Sequence, residues 1–324
     1  MMTRRQVLTG FTASSVAGLT IPARAQAWPQ RPVKVMVPFA PGGNSDGMAR
    51  IIGQSLGERL GQQFVIEDRP GGMGALAAEA VAHAPADGYT LFWAALPQIA
   101  IFPAMTKVAY DPVKDFAPIS NVGTNPFVLV VHPSVPVTTL KEFVDYVRSQ
   151  PQELSYATGG SGTLSHLSMV LLLKRAGLDM VQVPYKGGGP ALADTIAGHV
   201  KIYFGNLSEV IPQVQAGTLR AIAVSSEKRA AQLPVVPTVS EAGYPGFRTI
   251  SWNGLMAPTG TPKEIIEKLA NEVAIAVKEP VVAERLVSYG VEPLGDRPEQ
   301  FAATNAADIP MWAEAVKMAG VAMQ

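Results

Sequence analysis

The chain has 324 residues, 26 Lys and Arg against 26 Asp and Glu, and no cysteine. Lack of cysteine excludes a disulfide scaffold, a zinc ribbon, a thiol nucleophile and an iron–sulfur centre, and zero net charge argues against a nucleic-acid binder, whose affinity comes largely from neutralised phosphates. At 48% hydrophobic and 16% charged the chain folds rather than staying disordered, and its length usually divides into two cores.

Residues 1–25 read as an address. Thr3-Arg4-Arg5-Gln6-Val7-Leu8 resembles a twin-arginine export signal, and Val7 to Pro22 is a mild apolar run. Ala23-Arg24-Ala25 fits the small-x-small cleavage rule. The run is too short and polar to span a bilayer, and no cysteine follows it for a lipid anchor. The expectation is export to the periplasm with cleavage near Ala25, by the twin-arginine or the general secretory route. Cleavage removes Arg4, Arg5 and Arg24 and no acid, leaving a mature net charge of −3.

Strands and helices then alternate. Val33 to Val37, Phe64 to Glu67 and Tyr89 to Trp93 read as strands, with helices from about Asp46 to Leu60 and through Ala84. This β-α-β-α-β order predicts a parallel sheet covered on both faces. The pattern weakens through Asp111 to Asn125 and restarts at Phe127 to Val131. Helices at Leu140 to Ser149, Leu164 to Ala176 and Pro190 to Ala197 then alternate with strands at Leu154 to Ala157, Met180 to Val183 and Val200 to Phe204. One more helix precedes a strand at Arg220 to Val224, and the tail reads as helical: Pro262 to Lys278, Val281 to Ser288, Pro298 to Ala319. Helices without strands of their own must cover an existing sheet. The expected division is therefore 26–125 plus 247–324 as a discontinuous first domain and 126–246 as a second. Two crossings between them form a hinge suited to closing on a ligand.

Three Gly-rich loops leave strand ends and open helices: Pro38 to Asp46, Ala157 to Thr163, and Tyr185 to Pro190. Open α/β sheets bind ligands at such ends, and helix N-termini offer unpaired N–H groups that favour an anion. Any one of these loops also reads as a capped turn, with Asp46 as an N-cap and Pro190 at a first helical position. Two strong loops at corresponding places in two domains point to one cleft for a small carboxylate.

Other patterns carry less. Gly72-Met73-Gly74-Ala75-Leu76-Ala77 matches a dinucleotide loop, but the next strand ends in Ala94-Ala95 with no acid for a ribose. Gly159-Gly160-Ser161-Gly162-Thr163 approximates a nucleophile elbow, with Asp194 and His199 in hydrolase order. Those two lie five residues apart, too close to converge from separate loops. The four histidines have no metal-ligand spacing, and no metal or cofactor is expected. His166 stands close enough to brace the second loop or to reach a ligand. Trp93 and Trp252 read as core, and Phe39 as an apolar ligand wall.

A family resemblance follows from motifs in order. Trp28-Pro29-Gln30-Arg31-Pro32 leads into Val37-Pro38-Phe39-Ala40-Pro41-Gly42-Gly43, then Asp46 and Ala49-Arg50. Glu67-Asp68-Arg69-Pro70-Gly71, Ala86-Asp87-Gly88-Tyr89-Thr90-Leu91, Tyr110-Asp111-Pro112, Gly160-Ser161-Gly162-Thr163 with His166-Leu167, and Val183-Pro184-Tyr185-Lys186-Gly187 come next. Pro237-Thr238, Glu241-Ala242-Gly243, Trp252 and Gly260-Thr261-Pro262 complete it. From about Trp28 onward the chain resembles the substrate-binding proteins of tripartite tricarboxylate transporters, the Bug proteins. It departs at Asp68, where the family usually has Asn, and at Met73 and Ala77.

The resemblance implies an α/β periplasmic binding protein of type II topology, with mostly parallel sheets around a ligand cleft. It implies no enzyme and a monomer that captures a small organic acid (a mono- or dicarboxylate, aromatic acids included) for membrane transporter subunits. By position, its binding loops are Phe39, Ala40, Pro41, Gly42, Gly43, Asn44, Ser45 and Asp46, with Thr158, Gly159, Gly160, Ser161, Gly162, Thr163 and His166. Ala95, Leu96, Tyr185, Lys186 and Asn206 form the wall expected to select the acid. The alternatives are a receptor for a membrane sensor kinase and a secreted esterase using Ser161.

Overall fold

The computed structural model describes residues 28–42, 44–150 and 154–321. The leader and its cleavage site lie outside the described residues, as does Gly43. Strand β1 (Val33–Val37), helix α1 (Asn44–Leu60), strand β2 (Phe64–Asp68), helix α2 (Ala75–Ala82) and strand β3 (Thr90–Ala95) follow the expected order. β1 lies parallel to β2 on one side and β3 on the other, with Val33 opposite Phe64 and Lys34 opposite Thr90. After β3 the chain makes a wide helical turn at Pro97–Ile101 and a short helix α3 (Phe102–Met105).

Strand β4 (Phe116–Val131) is the first departure. Its 16 residues join the weak stretch, where Pro118 interrupts the pattern, to the strand read at Phe127 to Val131, with Pro126 at the junction. Proline cannot donate to a ladder and belongs at bulges or strand ends. Pro118 sits at a register irregularity, and Pro126 at the point where β4 exchanges one neighbour for another. Beyond it come α4 (Leu140–Ser149), β5 (Ser155–Thr158), α5 (Leu164–Ala176), β6 (Val181–Pro184), α6 (Gly188–Ile196), β7 (Ile202–Asn206), α7 (Leu207–Gln215) and β8 (Arg220–Val224). α4 opens on a capping box between Thr139 and Glu142. β5 is parallel to β6 and β7, while the second half of β4 runs antiparallel between β7 and β8.

The second departure is in the tail, which read as helical only. It begins with strand β9 (Ile250–Pro258), antiparallel between β3 and β4. Both faces of β9 are covered, so its sequence lacks the polar alternation of a half-exposed strand. Leu255 and Ala257 pack on one face, Trp252 and Met256 on the other. Helices α8 (Lys263–Ala276) and α9 (Pro280–Ser288), the two-residue strand β10 (Glu292–Pro293) and α10 (Pro298–Ala319) complete the chain.

The result is one mixed sheet, ordered β2-β1-β3-β9-β4-β7-β5-β6, with β8 and β10 also paired to β4. Each wing is parallel, and the crossing strands β4 and β9 run antiparallel to their neighbours. In the first half, Val33, Ile51 and Leu269 fill one side, and Phe92, Phe301 and Trp312 the other. In the second, Leu129, Phe143 and Met169 fill one side, and Val130, Tyr203 and Val210 the other. The chain leaves the first half within β4 and returns at β9. Buried Ser225 ties both crossings: its hydroxyl accepts from the Phe127 N–H at 2.8 Å and donates to the Thr249 carbonyl. α10 also spans the halves, since Leu167 of α5 shares a cluster with Trp312 and Val316. Among the described residues no helix is long and apolar enough to cross a membrane.

Candidate functional site

The loop from β1 to α1 is held by Asp46. Its carboxylate accepts from the Gly42 N–H at 2.7 Å and pairs with Arg50 at 2.6 Å. Burial works to raise its pKa, but Arg50 and the Gly42 N–H outweigh burial and keep it below the usual carboxylate value. Arg50 also reaches Asp68 at 2.8 Å, which gives the family departure at Asp68 a partner. Met73, the second departure, takes a left-handed φ of 53°. Its carbonyl is held there by the Gln98 amide at 2.7 Å.

The loop from β5 to α5 is braced just as fully. Thr163 donates to the Gly160 carbonyl at 2.7 Å, and the Ser165 hydroxyl accepts from the Gly159 N–H at 3.0 Å. Thr158 accepts from Gln182 at 2.8 Å. Gly160 and Gly162 have φ values of 125° and 78°, which only glycine adopts without strain. His166 is buried, and its Nδ1 accepts from the Gly162 N–H at 3.1 Å. Nδ1 is therefore unprotonated, and burial holds the imidazole pKa below its ordinary value. The ring stacks on Tyr156 behind the loop, so His166 braces rather than reaches a ligand. The third loop is tied to the second: Gly187 N–H donates to the Gly159 carbonyl at 3.1 Å.

These loops wall a cleft of about 400 Å³ between the two halves of the sheet. Four helix N-termini meet there, at Asn44 and Ser45 of α1, Thr163 to Ser165 of α5, Gly187 and Gly188 of α6, and Asn206 of α7. Helix first turns carry N–H groups without helical partners and a positive dipole end. Phe39, Phe127 and Tyr203 supply apolar faces. Among the described residues, no Lys or Arg lines the cleft.

From the expected set the cleft takes Phe39, Asn44, Ser45, Ala95, Gly159, Thr163 and Asn206. Asn206 caps α7 as well, accepting from Ser208 N–H at 3.1 Å. Ala40, Pro41 and Gly42 are exposed and outside the cleft lining, and Asp46 holds the loop through the Gly42 N–H. Thr158, Gly160, Gly162 and His166 serve the second loop's own bracing. Ser161 is exposed, and its hydroxyl donates to Gln182 at 3.3 Å. Tyr185 turns away, donating to Asp194 at 2.6 Å, and Lys186 is exposed off the cleft.

The esterase alternative therefore lacks its constellation. Ser161 meets no histidine among the described residues, His166 is occupied by Gly162, and His199 stands by Asp194 in the exposed bend after α6.

Gly187 and Gly188 bring the third Gly-rich loop into the wall, and several lining residues come from outside the expected set: Asn125, Phe127, Ser165, Tyr203, Glu209, Ser251 and Asn253. Asn125 and Ser251 face each other across the two crossing strands. Asn253, on β9, is the most informative. Trp93 Nε1 can only donate, and it donates to Asn253 Oδ1 at 3.2 Å; Ser45 Oγ donates to the same oxygen. The amide is thus fixed with oxygen inward, and its Nδ2 has no hydrogen-bond partner among the described residues of the cleft it lines. Glu209 sits in the first turn of α7. Tyr203 OH donates to its carboxylate at 3.0 Å, and crowding by protein raises its pKa. Its side chain is still open to the cleft's water.

Residues 48–320 match the model of the tripartite tricarboxylate transporter family receptor. The chain belongs to that family. It is 34% identical to BugT of Bordetella pertussis, over 100% of this chain and 99% of that protein. An R. palustris protein solved with adipate is 38% identical, with a TM-score of 0.78 over 91% of this chain and 99% of its own. MatC from Rhodopseudomonas palustris, solved with malate, is 36% identical, with a TM-score of 0.73 over 89% and 100%. As a receptor of this family the chain is a solute-binding protein and not an enzyme. Its cleft lies outside the strand ends, where open α/β sheets bind their ligands.

Proposed function

We propose that this receptor captures a small organic carboxylate in the cleft and presents it to the membrane subunits of a tripartite transporter from the periplasm. The observation that carries the reading is the meeting of four helix N-termini on one cleft with no basic side chain in its wall among the described residues. Such a site binds an anion through oriented N–H groups. The ligand's carboxylate sits on α1 and α5, at Asn44, Ser45, Thr163 and Ser165, with Asn253 Nδ2 beside it. Phe39 and Phe127 cover its carbon skeleton. The bound adipate and malate of the two R. palustris relatives support this chemistry.

The working units are 26–125 plus 247–324 and 126–246, which close on the ligand about β4 and β9. Closure removes water and strengthens every hydrogen bond inside. The receptor acts as a monomer, exported by a leader cleaved near Ala25.

A ligand that binds only the folded state raises its melting temperature. Thermal shift against mono-, di- and tricarboxylates, aromatic acids and amino acids is expected to give hits of one chemical class. No stabilisation by any of them rejects the reading.

A further inference from the structure

Glu209 is the single charged side chain in the wall of the cleft among the described residues. Its place is specific. The carboxylate lies against the N-terminus of α6, where a Cβ on Gly188 would stand 2.6 Å from Oε2 and 2.7 Å from Oε1. It also belongs to the first turn of α7 and accepts from Tyr203 OH at 3.0 Å. Two of the four helix N-termini are therefore already served by an anion of the chain itself. The α1 and α5 corner is different. Asp46, the acid in the first turn of α1, is turned to Gly42 and balanced by Arg50 at 2.6 Å. Glu209 has no cationic partner within salt-bridge reach among the described residues.

We propose that Glu209 sets the ligand class: a molecule with one carboxylate, held at α1 and α5, and one cationic amino group, held at Glu209. This rests on the receptor reading above and narrows it. A dicarboxylate of the same length would bring its second charge against Glu209, and like charges facing each other in a closed site are a strong discriminator. An ammonium group supplies the counter-charge that the wall lacks. Gly188 is part of the device, because any side chain there would displace the carboxylate.

The test uses matched pairs that differ only at the far end: adipate against 6-aminohexanoate, succinate against 4-aminobutyrate, and terephthalate against 4-(aminomethyl)benzoate. Titration calorimetry near neutral pH on the unmodified protein is expected to favour the amino acid of a binding pair by about tenfold or more. Glu209→Gln keeps the shape, removes the charge and is expected to cut that preference by about tenfold. A diacid that binds as well as its amino partner in every binding pair overturns the proposal. So does a preference that Glu209→Gln leaves unchanged in a variant whose circular dichroism matches the parent. If Glu209→Gln does not fold, the ratio in the unmodified protein decides. If no compound of either kind binds, the carboxylate-receptor reading falls and takes this one with it.

Discussion

Asn253→Ala probes the joint between core and cleft. Asn253 and Trp93 are 5% and 1% exposed, and Ser45 is 9% exposed. The substitution removes the acceptor of the Trp93 indole N–H and of the Ser45 hydroxyl. The hydroxyl can rotate toward the cleft and find water, whereas the indole N–H cannot. A buried donor left unpaired costs about 1–3 kcal/mol, and the lost side chain adds to that. The expected destabilisation is about 2–4 kcal/mol, or roughly 4–8 °C in melting temperature at about 2 °C per kcal/mol for a unit of this size. Asn253→Asp is the informative partner. It keeps an acceptor for both donors but turns the Nδ2 donor beside the ligand's carboxylate into a second anion. It is expected to fold and to lose carboxylate affinity by about tenfold or more. Thermal melts and calorimetry on both variants separate the two effects. An Asn253→Ala protein that melts with the parent would refute the buried joint. An Asn253→Asp protein that binds as tightly as the parent would refute the inward-facing donor.

Ser225→Ala removes the hydroxyl that ties β4 to the strand before β9. It strands a donor and an acceptor, so the urea midpoint should fall by the equivalent of about 2–4 kcal/mol with an unchanged m-value. Asp308 is 1% exposed and accepts from Arg248 at 3.0 Å and Trp252 Nε1 at 2.8 Å. Asp308→Ala should cost about 3 kcal/mol in the same assay, near the low end for a broken buried pair because Arg248 keeps Glu227 at 3.4 Å. His166 has a folded pKa below its unfolded value of 6.5. Its contribution is therefore complete above that pH and is lost as pH falls, when the unfolded chain binds the proton first. His166→Asn keeps an acceptor for Gly162 without titrating, so its melting temperature should drop less between pH 7 and pH 5. Parallel pH dependence in the two proteins would assign the acid sensitivity to other groups.

The parts of the fold legible in the sequence share one property: each is read from neighbours in the chain. β1 to β3 are short apolar runs between Gly and Pro turns, and their loops carry the glycines that left-handed positions need. β9 and the first part of β4 resisted reading because both faces are buried and prolines or Gly254 interrupt them. Gly254 is there because Phe301, from the last helix, comes within 2.4 Å of where a Cβ would stand. Nothing near Gly254 in the sequence announces that approach. The same holds for the cleft. Phe39, Ser45 and Thr163 lie on loops whose glycines mark them. Asn253 and Glu209 enter from β9 and from inside α7, and only the sheet order brings them to the others. Asp46 and His166 show the converse. Their place beside glycine loops suggests contact with a ligand, but each is spent on an N–H of its own loop.

The net charge of zero is a poor guide to what the cleft binds because the basic side chains are occupied elsewhere. Arg50 answers Asp46 and Asp68, Arg59 answers Glu272 and Glu279, and Arg248 answers Asp308. Lys186, the basic residue nearest the glycine loops in sequence, is exposed outside the wall. Recognition is left to backbone N–H groups, whose positions are set by loop bracing and not by flexible side chains. That arrangement makes the site indifferent to what lies beyond a carboxylate unless something else discriminates. A lone buried cation would favour any second anion, whereas Glu209 in the same cleft opposes one. Selectivity in this receptor then depends less on how the first carboxylate is held, which the N-termini of α1 and α5 and their glycine loops fix, than on a single charge at the opposite corner.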